Sequence, residues 1–533
     1  MKKFMNKAKD ALDKHGSNQG DAFPAQQQNQ QVPMQSGQSS IQAPTLADVT
    51  RYRYHHGANL GSIFILEKWL TGSVFHKDSQ GSSELAAVEA WVKQEGVDRA
   101  REHFEWHWKN YVSDSDLDWL RDSAKCTTVR LPIGYFTLGP PYCEDTPFKK
   151  VAPVYQNAWQ AVKDLVGRCH QRGIGVLIDM HGLPGGANAQ EHSGTNSGKA
   201  EFWGSKSYRE LATRALCFIA QQTRGMDGVA GIQVINEAEH DPKHMYDWYD
   251  DVISQLSKID PTMPIYISDA WDLGTCASWT QGKNSLKNQC SPVVVDTHLY
   301  WCFSDADKQK SPQDIVQEAQ HKLSALDGKD GSVIDHGAAQ AIVGEYSCVL
   351  AENTWTKGGG EGAKGQNVKA FGNAQSQRYQ QRSGGSFFWT YRMDWMEGGE
   401  WGFKQMTNAQ AITPPPSLTL NDVQSRGQHA QGQQAERKQG NVHSHVSWWD
   451  SNHPGTYEHW RFEQGWDVGY GDALAFFQMR DQHGHPGGDK IGMLDLWVLK
   501  RLRESGQAGQ KFAWEFEQGL RQGVKSLYEA VGV

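Results

Sequence analysis

The 533-residue sequence lacks several features that would place it in a common protein class. It has no run of 18 apolar residues, so a membrane-spanning helix is not predicted. Lys and Arg total 53 against 61 Asp and Glu, and this net charge of −8 argues against a nucleic acid partner, whose phosphates require a basic surface. The eight cysteines stand singly, without a CxxC pair that would indicate a zinc ribbon or a dithiol site. We therefore expect a neutral or polar ligand, with no metal and no cofactor.

The first residues also lack a secretion signal. MKKFMNKAKDALDKHGS has a basic start but not the continuous apolar run of about 7–15 residues that a signal peptide needs. No Asn-x-Ser/Thr glycosylation site occurs anywhere. These features predict a cytoplasmic protein, which we expect to be a monomer. Residues 1–14 place apolar and basic side chains on different helical faces, which is compatible with a weak membrane-surface contact or with a solvated terminus.

Two stretches of the chain are too polar to form a core. Residues 16–46 are rich in Gln, Ser and Pro, and we predict a disordered leader over residues 1–50. Residues 404–442 contain TPPPS and QHAQGQQAERKQGN, which predicts a long flexible insertion. Around this insertion, residues 51–533 are expected to form a single folded domain.

Eight short apolar runs recur between these stretches, and polar residues follow each run. They are residues 57–66, 128–134, 175–182, 231–237, 264–270, 293–300, 341–347 and 385–391. Continuous apolar runs are typical of strands that are buried on both faces of a parallel sheet. Helical patterns separate several of them, for example over 155–169 and 245–256. The fold predicted is therefore α/β, a single (β/α)8 TIM barrel with extra C-terminal helices after the insertion.

In such a barrel the residues at the C-terminal ends of the strands surround one pocket. Tryptophan is abundant, at 21 residues, and its flat ring can stack on a sugar, which favours a carbohydrate ligand. The predicted pocket residues are Glu67, Arg130, His181, Asn236, Glu237, His298, Tyr300, Glu345 and Trp389, with Phe303 in the loop after the sixth strand.

Glu237 and Glu345 end the fourth and seventh strands, and this placement puts two carboxylates across one pocket. A retaining glycosidase needs such a pair about 5–5.5 Å apart, one protonated and one ionised. Arg130 and Tyr300 would hold Glu345 as a carboxylate, while Glu237 follows the neutral Asn236 and would keep its proton more easily. The pair therefore predicts double displacement, with Glu345 attacking and Glu237 acting as acid and base.

The motifs at the strand ends resemble those of glycoside hydrolase family 5, especially its fungal exo-β-1,3-glucanase branch. The motifs that carry the resemblance are GANLGSIFILEKW, TVRLPIGY, DMHGLPGGAN, VINEAE, DTHLYWCF, IVGEYS and FFWTYR. The likeness extends over residues 54–403 and more loosely through the C-terminal helices. Two positions depart from the family pattern, because Lys68 and Ala238 stand where the motifs have proline.

The resemblance implies the same catalytic roles for Glu237 and Glu345, and it adds roles in substrate binding. It implies that Glu67 binds hydroxyls of the terminal sugar and that Asn236 binds the 2-hydroxyl. It further implies that Phe303 clamps the acceptor and that Trp389 stacks on the sugar. Arg130, His181, His298 and Tyr300 match the remaining family positions. The function predicted is a retaining, exo-acting β-1,3-glucosidase that acts on glucan or oligosaccharide.

Other functions remain open at this point. Within the family, the substrate could be a β-1,6-glucan, a rutinoside or another diglycoside, or a steryl or ceramide glucoside. Outside it, Asp179, His181, Asp296 and His298 could be metal ligands of a different barrel hydrolase, although their spacing does not favour this. A carbohydrate-binding protein without activity is a third alternative, and the presence of both glutamates argues against it.

Overall fold

A computed structural model describes residues 41–533, and its centre is a sheet of eight parallel strands. The strands are β1 His55–Ala58, β2 Thr128–Gly134, β3 Gly175–Gly182, β4 Val229–Gln233, β5 Ile265–Ser268, β6 Val293–Trp301, β7 Ala341–Leu350 and β8 Gly385–Phe388. Nearly every strand residue is buried, as expected for a sheet covered by helices on its outer face and filled by side chains inside. All eight predicted strands are present.

The strand order closes the sheet into a barrel. Consecutive strands pair in parallel from β2 to β8, and β8 pairs with β1, where His55 lies opposite Gly385. The last two neighbours, β1 and β2, are connected just after β1, where the N–H of Leu60 donates to the Arg130 carbonyl at 2.8 Å. The predicted (β/α)8 barrel is therefore confirmed, and the C-terminal ends of its strands meet at one rim.

The first strand differs from its prediction. The apolar run at 57–66 predicts a strand there, but β1 is His55–Ala58, and the rest of the run is a buried loop. Ser62 in this loop has a positive φ of 60°, which a strand cannot accommodate. The apolar side chains of the loop are buried because it packs against the barrel mouth, so hydrophobicity alone did not distinguish it from a strand.

Helices alternate with the strands, as predicted. The helices before β8 are Leu46–Tyr52, Glu84–Glu95, Val97–Asn110, Asp114–Asp122, Ala158–His170, Glu201–Gly204, Lys206–Thr223, Met245–Ile259, Leu273–Lys283, Asp305–Lys308, Pro312–His321, Val333–His336, Glu352–Lys357 and Glu361–Arg382. Met245–Ile259 shows the principle, because it buries Trp248, Val252 and Leu256 along one face. Within residues 41–533, no helix is long and apolar enough to cross a bilayer.

The predicted disordered leader of 50 residues is too long at its C-terminal end, because a helix begins at Leu46. Thr45 caps a helix over Leu46–Tyr52, and a reciprocal capping box joins Thr45 to Asp48. This cap satisfies N–H groups at the start of the helix, so the ordered part of the chain begins before residue 51. The predictions for residues 1–14 and for most of the leader lie outside the described residues.

Two parts of the segment 404–442, residues 404–408 and 423–442, are helical where a flexible insertion was predicted. The helices after β8 are Phe403–Asn408, Val423–Asn452, Trp460–Gln482, Leu494–Glu504 and Ala513–Val531. Gln, Ala, Arg, Lys and Glu are good helix formers, and Val423, Ala430 and Trp449 bury one side of the long helix. The polar composition of this segment therefore predicted a loop, but much of it forms a helix that packs on its neighbours.

Two C-terminal helices, Trp460–Gln482 and Ala513–Val531, are in backbone contact through glycine. The glycines at this contact are Gly465, Gly469, Gly519 and Gly523. A Cβ atom at Gly469 would lie 2.0 Å from a carbonyl oxygen of the facing helix, and so would one at Gly519. Larger side chains would separate the two helices, so the spacing of glycine by four residues on each helix fixes how closely they pack. Residues Ala43–Val533 form one compact unit.

Candidate active site

Arg130 lies on β2 at the floor of the barrel pocket, and its side chain is fully buried. Its Nη1 donates to Asn59 Oδ1 at 2.8 Å and to Glu345 Oε1 at 3.0 Å. Its Nε donates to Gln233 Oε1 at 2.9 Å, and Nη2 donates to Asn236 Oδ1 at 2.7 Å. One guanidinium therefore orients a carboxylate from β7 and an amide that follows β4.

Two buried aspartates balance the charge of Arg130 and orient two histidines. Asp179 Oδ2 is 3.0 Å from Arg130 Nη2 and 2.7 Å from His181 Nδ1. Asp296 Oδ2 is 3.0 Å from His298 Nε2 and 3.7 Å from Arg130 Nη2. Both pairs have the sequence Asp-x-His on a strand, which places the two side chains on the same face. These four residues are thus held by hydrogen bonds to one another and to a buried cation.

Glu345 lies on β7 among hydrogen-bond donors. Besides Arg130, the Tyr300 hydroxyl donates to Glu345 Oε2 at 2.9 Å. The Glu345 side chain keeps 7% of its surface exposed, so the carboxylate reaches the pocket. The preceding residue must be small, because a Cβ at Gly344 would lie 2.0 Å from Asp296 Oδ1.

Glu237 follows β4 and faces Glu345 across the pocket. His298 Nδ1 lies 2.8 Å from Glu237 Oε1, and His192 Nε2 lies 3.3 Å from Glu237 Oε2. The Glu237 side chain is 17% exposed. One oxygen from each glutamate and a nitrogen of His298 lie within 4.8 Å of one another. The two carboxylates therefore face a common gap, and both are accessible.

Burial and His298 together set the protonation states of this pair, and His298 has a carboxylate oxygen at each ring nitrogen. Burial lowers the pKa of His298, but the carboxylates of Glu345 and Asp296 outweigh burial and raise it well above its ordinary value. Burial raises the pKa of Glu237, but the hydrogen bond and charge of His298 outweigh burial and lower it to about 2. Burial raises the pKa of Glu345 to about 7, although His298 and Arg130 oppose this shift.

The directions of these pKa shifts correct one expectation from the sequence. Glu237 was expected to keep its proton more easily than Glu345, but in this arrangement Glu237 is the stronger acid. The expectation considered only the neighbour Asn236, whereas the decisive contact is the protonated ring of His298, 2.8 Å from Glu237. The proton that an acid catalyst needs is therefore carried on the His298–Glu237 pair rather than on Glu237 alone.

Three further predicted residues line the same pocket. The Asn236 amide lies 3.3 Å from His181 Nε2, and its oxygen accepts from Arg130, so both ends of the amide are fixed. Trp389, which follows β8 and is 4% exposed, stacks on His181 with an angle of 12° between the rings. Two polar side chains and an indole are thus held beside the glutamate pair.

Aromatic rings form the rim above the glutamates. Phe303 is 64% exposed and meets the Tyr300 ring edge to face at 5.4 Å. Trp69 donates to Glu67 Oε2 at 2.7 Å and packs edge to face against Trp401 at 5.4 Å. Burial raises the pKa of Glu67 to about 7, against the Trp69 hydrogen bond. The structure thus places all ten predicted residues in one connected set around the pocket.

Sequence reasoning missed several residues of this site. Asn59 and Gln233 fix Arg130, and neither was singled out, although Asn59 lies in the motif GANLGSIFILEKW and Gln233 in the fourth apolar run. Asp179 and Asp296 were considered only as metal ligands, although the repeated Asp-x-His pattern could have identified them as partners of the histidines. His192 comes from the loop after β3, and Trp401 comes from the loop after β8. Their positions depend on loop conformations, which the sequence pattern does not specify.

A (β/α)8 barrel with two glutamates across a pocket lined by hydrogen-bond donors and aromatic rings has the architecture of a glycoside hydrolase. The sequence model of the cellulase family, glycosyl hydrolase family 5, matches residues 88–391. The chain belongs to glycosyl hydrolase family 5. Residues 430–531 match a second sequence model, the glucan 1,3-beta-glucosidase 3 C-terminal domain, which covers most of the C-terminal helices.

Similar proteins support this assignment. An uncharacterized glycosyl hydrolase of Saccharomyces cerevisiae is 30% identical over 495 residues, or 89% of this chain and 91% of the relative. Glucan 1,3-beta-glucosidase 3 of Schizosaccharomyces pombe is 32% identical over 486 residues, or 89% of this chain and 95% of the relative. The rutinosidase structure from Aspergillus niger aligns with a TM-score of 0.52 at 17% identity, over 68% of this chain and 99% of that chain, and shows a shared fold. The protein is a β-glycosidase.

Proposed function

We propose that the protein is an exo-acting β-1,3-glucosidase that removes glucose with net retention of configuration. The observation that carries the retaining mechanism is the pair of oxygens from Glu237 and Glu345 within 4.8 Å of each other. Retaining glycosidases hold their carboxyl groups about 5–5.5 Å apart, whereas inverting enzymes leave about 6.5–9.5 Å for a water molecule. Similarity to a protein named glucan 1,3-beta-glucosidase 3 supports the linkage.

In the first step, Glu345 attacks the anomeric carbon and the bond to the departing oxygen breaks. The Arg130 guanidinium and the Tyr300 hydroxyl hold the attacking carboxylate in place at 3.0 and 2.9 Å. Fixing the nucleophile in this way lowers the entropic cost of reaching the transition state. A covalent glucosyl-enzyme results.

Glu237 gives the departing oxygen its proton and then takes a proton from the water that releases the sugar. His298 Nδ1 holds that proton 2.8 Å from Glu237 Oε1. When the His298 imidazolium passes this proton to Glu237, Asp296 at the opposite ring nitrogen keeps the ring oriented. In the second step Glu237 is again a carboxylate and acts as the base.

The remaining pocket residues bind the terminal glucose. The Asn236 amide, fixed at both ends, is suited to the 2-hydroxyl, which lies next to the reacting carbon. Trp389 offers a ring face on which the sugar can stack. Glu67 and His181 supply polar atoms for the other hydroxyls. These roles are those that the family resemblance implies, and the common placement of the side chains supports them.

The exposed rim accepts the rest of the substrate. Phe303, Trp69 and Trp395 are exposed by 64%, 44% and 43% and lie on one side of the pocket, connected through Trp401. Aromatic faces at a pocket mouth bind the next glucose of a glucan, but they would also bind an apolar aglycone such as a sterol. Because the rim suits both kinds of substrate, a comparison of substrates is the decisive experiment.

That experiment compares release of glucose from laminari-oligosaccharides, gentiobiose, a glucosylated sterol and glucosylceramide, and release of the disaccharide from a rutinoside. We expect stepwise release of glucose from the β-1,3 oligosaccharides, with the other compounds slower by about tenfold or more. Faster cleavage of another compound would replace the proposed substrate, and binding without cleavage of all five would contradict catalysis. Glu345→Gln is the inactive variant, and Glu352→Gln, which alters an exposed glutamate, is its control.

We also propose that the enzyme acts as a monomer inside the cell. Five of the eight cysteines are buried thiols, which fits a reducing compartment. Imaging of a fluorescently tagged chain tests the location, and light scattering tests the mass of 59.7 kDa. Flotation with anionic vesicles, with and without residues 1–14, tests the weak membrane contact.

A further inference from the structure

A second cluster of titratable side chains lies among the C-terminal helices and has no part in the barrel pocket. His445 belongs to the helix Val423–Asn452, His459 directly precedes the next helix, and Glu515 lies in the first turn of the last helix. The cluster therefore joins three separate segments of the chain at one point.

Glu515 is a fully buried carboxylate. Its Oε2 lies 2.9 Å from His459 Nδ1 and 3.1 Å from His445 Nε2, and its Oε1 accepts from the backbone N–H of Glu458 at 2.9 Å. Within residues 41–533, no Lys or Arg forms an ion pair with it. A buried carboxylate is favourable only when it is paired, and the cation beside Glu515 would be either an imidazolium or a metal ion.

The geometry is suited to a metal ion as well as to hydrogen bonds. Both imidazole nitrogens point at the same oxygen, and one atom from each of the three residues lies within 4.8 Å of the others. Zinc binds His nitrogen and carboxylate oxygen at about 2.0–2.2 Å in tetrahedral sites, so neighbouring ligand atoms lie roughly 3.3 Å apart. The two nitrogen–oxygen distances of 2.9 and 3.1 Å are those of hydrogen bonds, and the ligand atoms would have to move apart by only about 0.2–0.4 Å to reach that spacing. Two histidines and one glutamate are also a known zinc ligand set.

The surrounding contacts orient both rings for this role. His459 Nε2, on the side of the ring away from Glu515, lies 3.4 Å from Asp450 Oδ1. A carboxylate behind a metal-binding histidine is a common arrangement, because it fixes the ring and its tautomer. The His445 ring stacks on Phe462 with 4.0 Å between the centroids. The His459 side chain is 21% exposed, which leaves room for a water molecule as the fourth ligand.

We propose that His445 Nε2, His459 Nδ1 and a Glu515 oxygen bind one zinc ion. The ion would link the helices Val423–Asn452, Trp460–Gln482 and Ala513–Val531. Binding requires both nitrogens to be deprotonated. The proton that remains on His459 then lies on Nε2, where Asp450 accepts it. This inference does not depend on the proposed glucosidase activity, because none of these residues belongs to the barrel pocket.

Binding of zinc to the chelator-treated full-length protein tests the proposal. Isothermal titration with Zn²⁺ at pH 7.5 should give one site per chain with a Kd on the order of 1 μM or tighter. Co²⁺ in the same site should show the visible absorption of a four-coordinate ion with nitrogen and oxygen ligands. Zn²⁺ should also raise the melting temperature, by mass action on the folded state. No uptake of either ion by the wild type would overturn the proposal.

Variants separate the site from adventitious binding. His459→Gln and Glu515→Gln should abolish high-affinity uptake, and Asp450→Asn should weaken it by about 10–100-fold. His443→Gln, an exposed histidine on the same helix as His445, should bind like the wild type. Equal zinc uptake by His459→Gln and the wild type would refute the site. If a variant does not fold, the Co²⁺ spectrum of the wild type still decides the outcome.

Discussion

Arg130 Nη1 donates a 3.0 Å hydrogen bond to Glu345 Oε1, although the two residues are 215 positions apart in the chain. Arg130 lies on β2 and Glu345 on β7, so the bond spans the interior of the barrel. The same guanidinium also fixes Asn236. Arg130 therefore fixes the position of the proposed nucleophile and, together with His298, favours its charged form.

Arg130→Lys should lower kcat/KM severely, because an ammonium cannot reproduce the fork that reaches Glu345 and Asn236 together. Removing one partner of a buried ion pair altogether costs about 3–5 kcal/mol, or roughly 10²–10⁴-fold if the loss falls on the transition state, and this sets the upper limit for a variant that keeps the charge. Arg121→Lys, which alters an exposed pair with Asp122, is the matched control. Steady-state kinetics on a laminari-oligosaccharide measure both. Unchanged kcat/KM in Arg130→Lys would refute the role of Arg130.

Glu237→Ala should distinguish the acid from the base function. With an oligosaccharide, whose departing oxygen needs a proton, we expect a loss of about 10²–10⁴-fold. With a dinitrophenyl glucoside the first step should stay fast, because the departing phenolate needs no proton. Azide should then restore turnover and yield β-glucosyl azide. Glu239→Ala, an exposed neighbour, is the control. Equal losses on both substrates, or no effect of azide, would remove Glu237 from this role.

The pH dependence of kcat/KM should be bell-shaped, with an acidic limb near pH 7. Glu345 must be ionised to attack, and because burial raises its pKa to about 7, activity should rise as pH increases through that value. The alkaline limb reports loss of the proton held by the His298–Glu237 pair. His298→Asn removes a cation beside Glu345, so its acidic limb should move to higher pH, whereas the exposed control His321→Asn should not change it. An acidic limb that His298→Asn leaves in place would contradict this assignment.

The close contact of the two C-terminal helices should be sensitive to a single methyl group. Gly519→Ala would place a Cβ 2.0 Å from a carbonyl oxygen of the facing helix, so we expect a loss of about 1–3 kcal/mol in the free energy of unfolding. Gly471→Ala, at a helical glycine with no atom within 4 Å of the added Cβ, should be neutral or stabilising by up to about 1 kcal/mol. Chemical denaturation measures both. Equal stability of the two variants would refute the contact.

The sequence predicted the barrel because its strands are buried on both faces and therefore appear as continuous apolar runs. It misplaced the first strand, since the loop at 59–66 is equally apolar but packs against the barrel mouth. It also predicted a flexible segment at 404–442, where helix propensity and burial of Ala430 and Trp449 outweigh a polar composition.

The predicted site residues come together because each lies on a barrel strand or in the loop that follows it. The protonation of Glu237 was not predictable in this way, because it depends on His298, which is 61 positions distant in sequence and 2.8 Å distant in space. His192 likewise reaches Glu237 from a loop whose path no local pattern specifies. Strand positions follow from periodicity, whereas contacts across the pocket depend on how the loops fold.

The most direct measurement is covalent labelling with 2-deoxy-2-fluoro-β-glucosyl fluoride, which slows release of the intermediate, followed by intact mass and peptide mapping. We predict one fluoroglucosyl group per chain, on Glu345, with slow recovery of activity as it hydrolyses. A label on any other residue, or first-formed product of inverted configuration without a label, would contradict double displacement at Glu345.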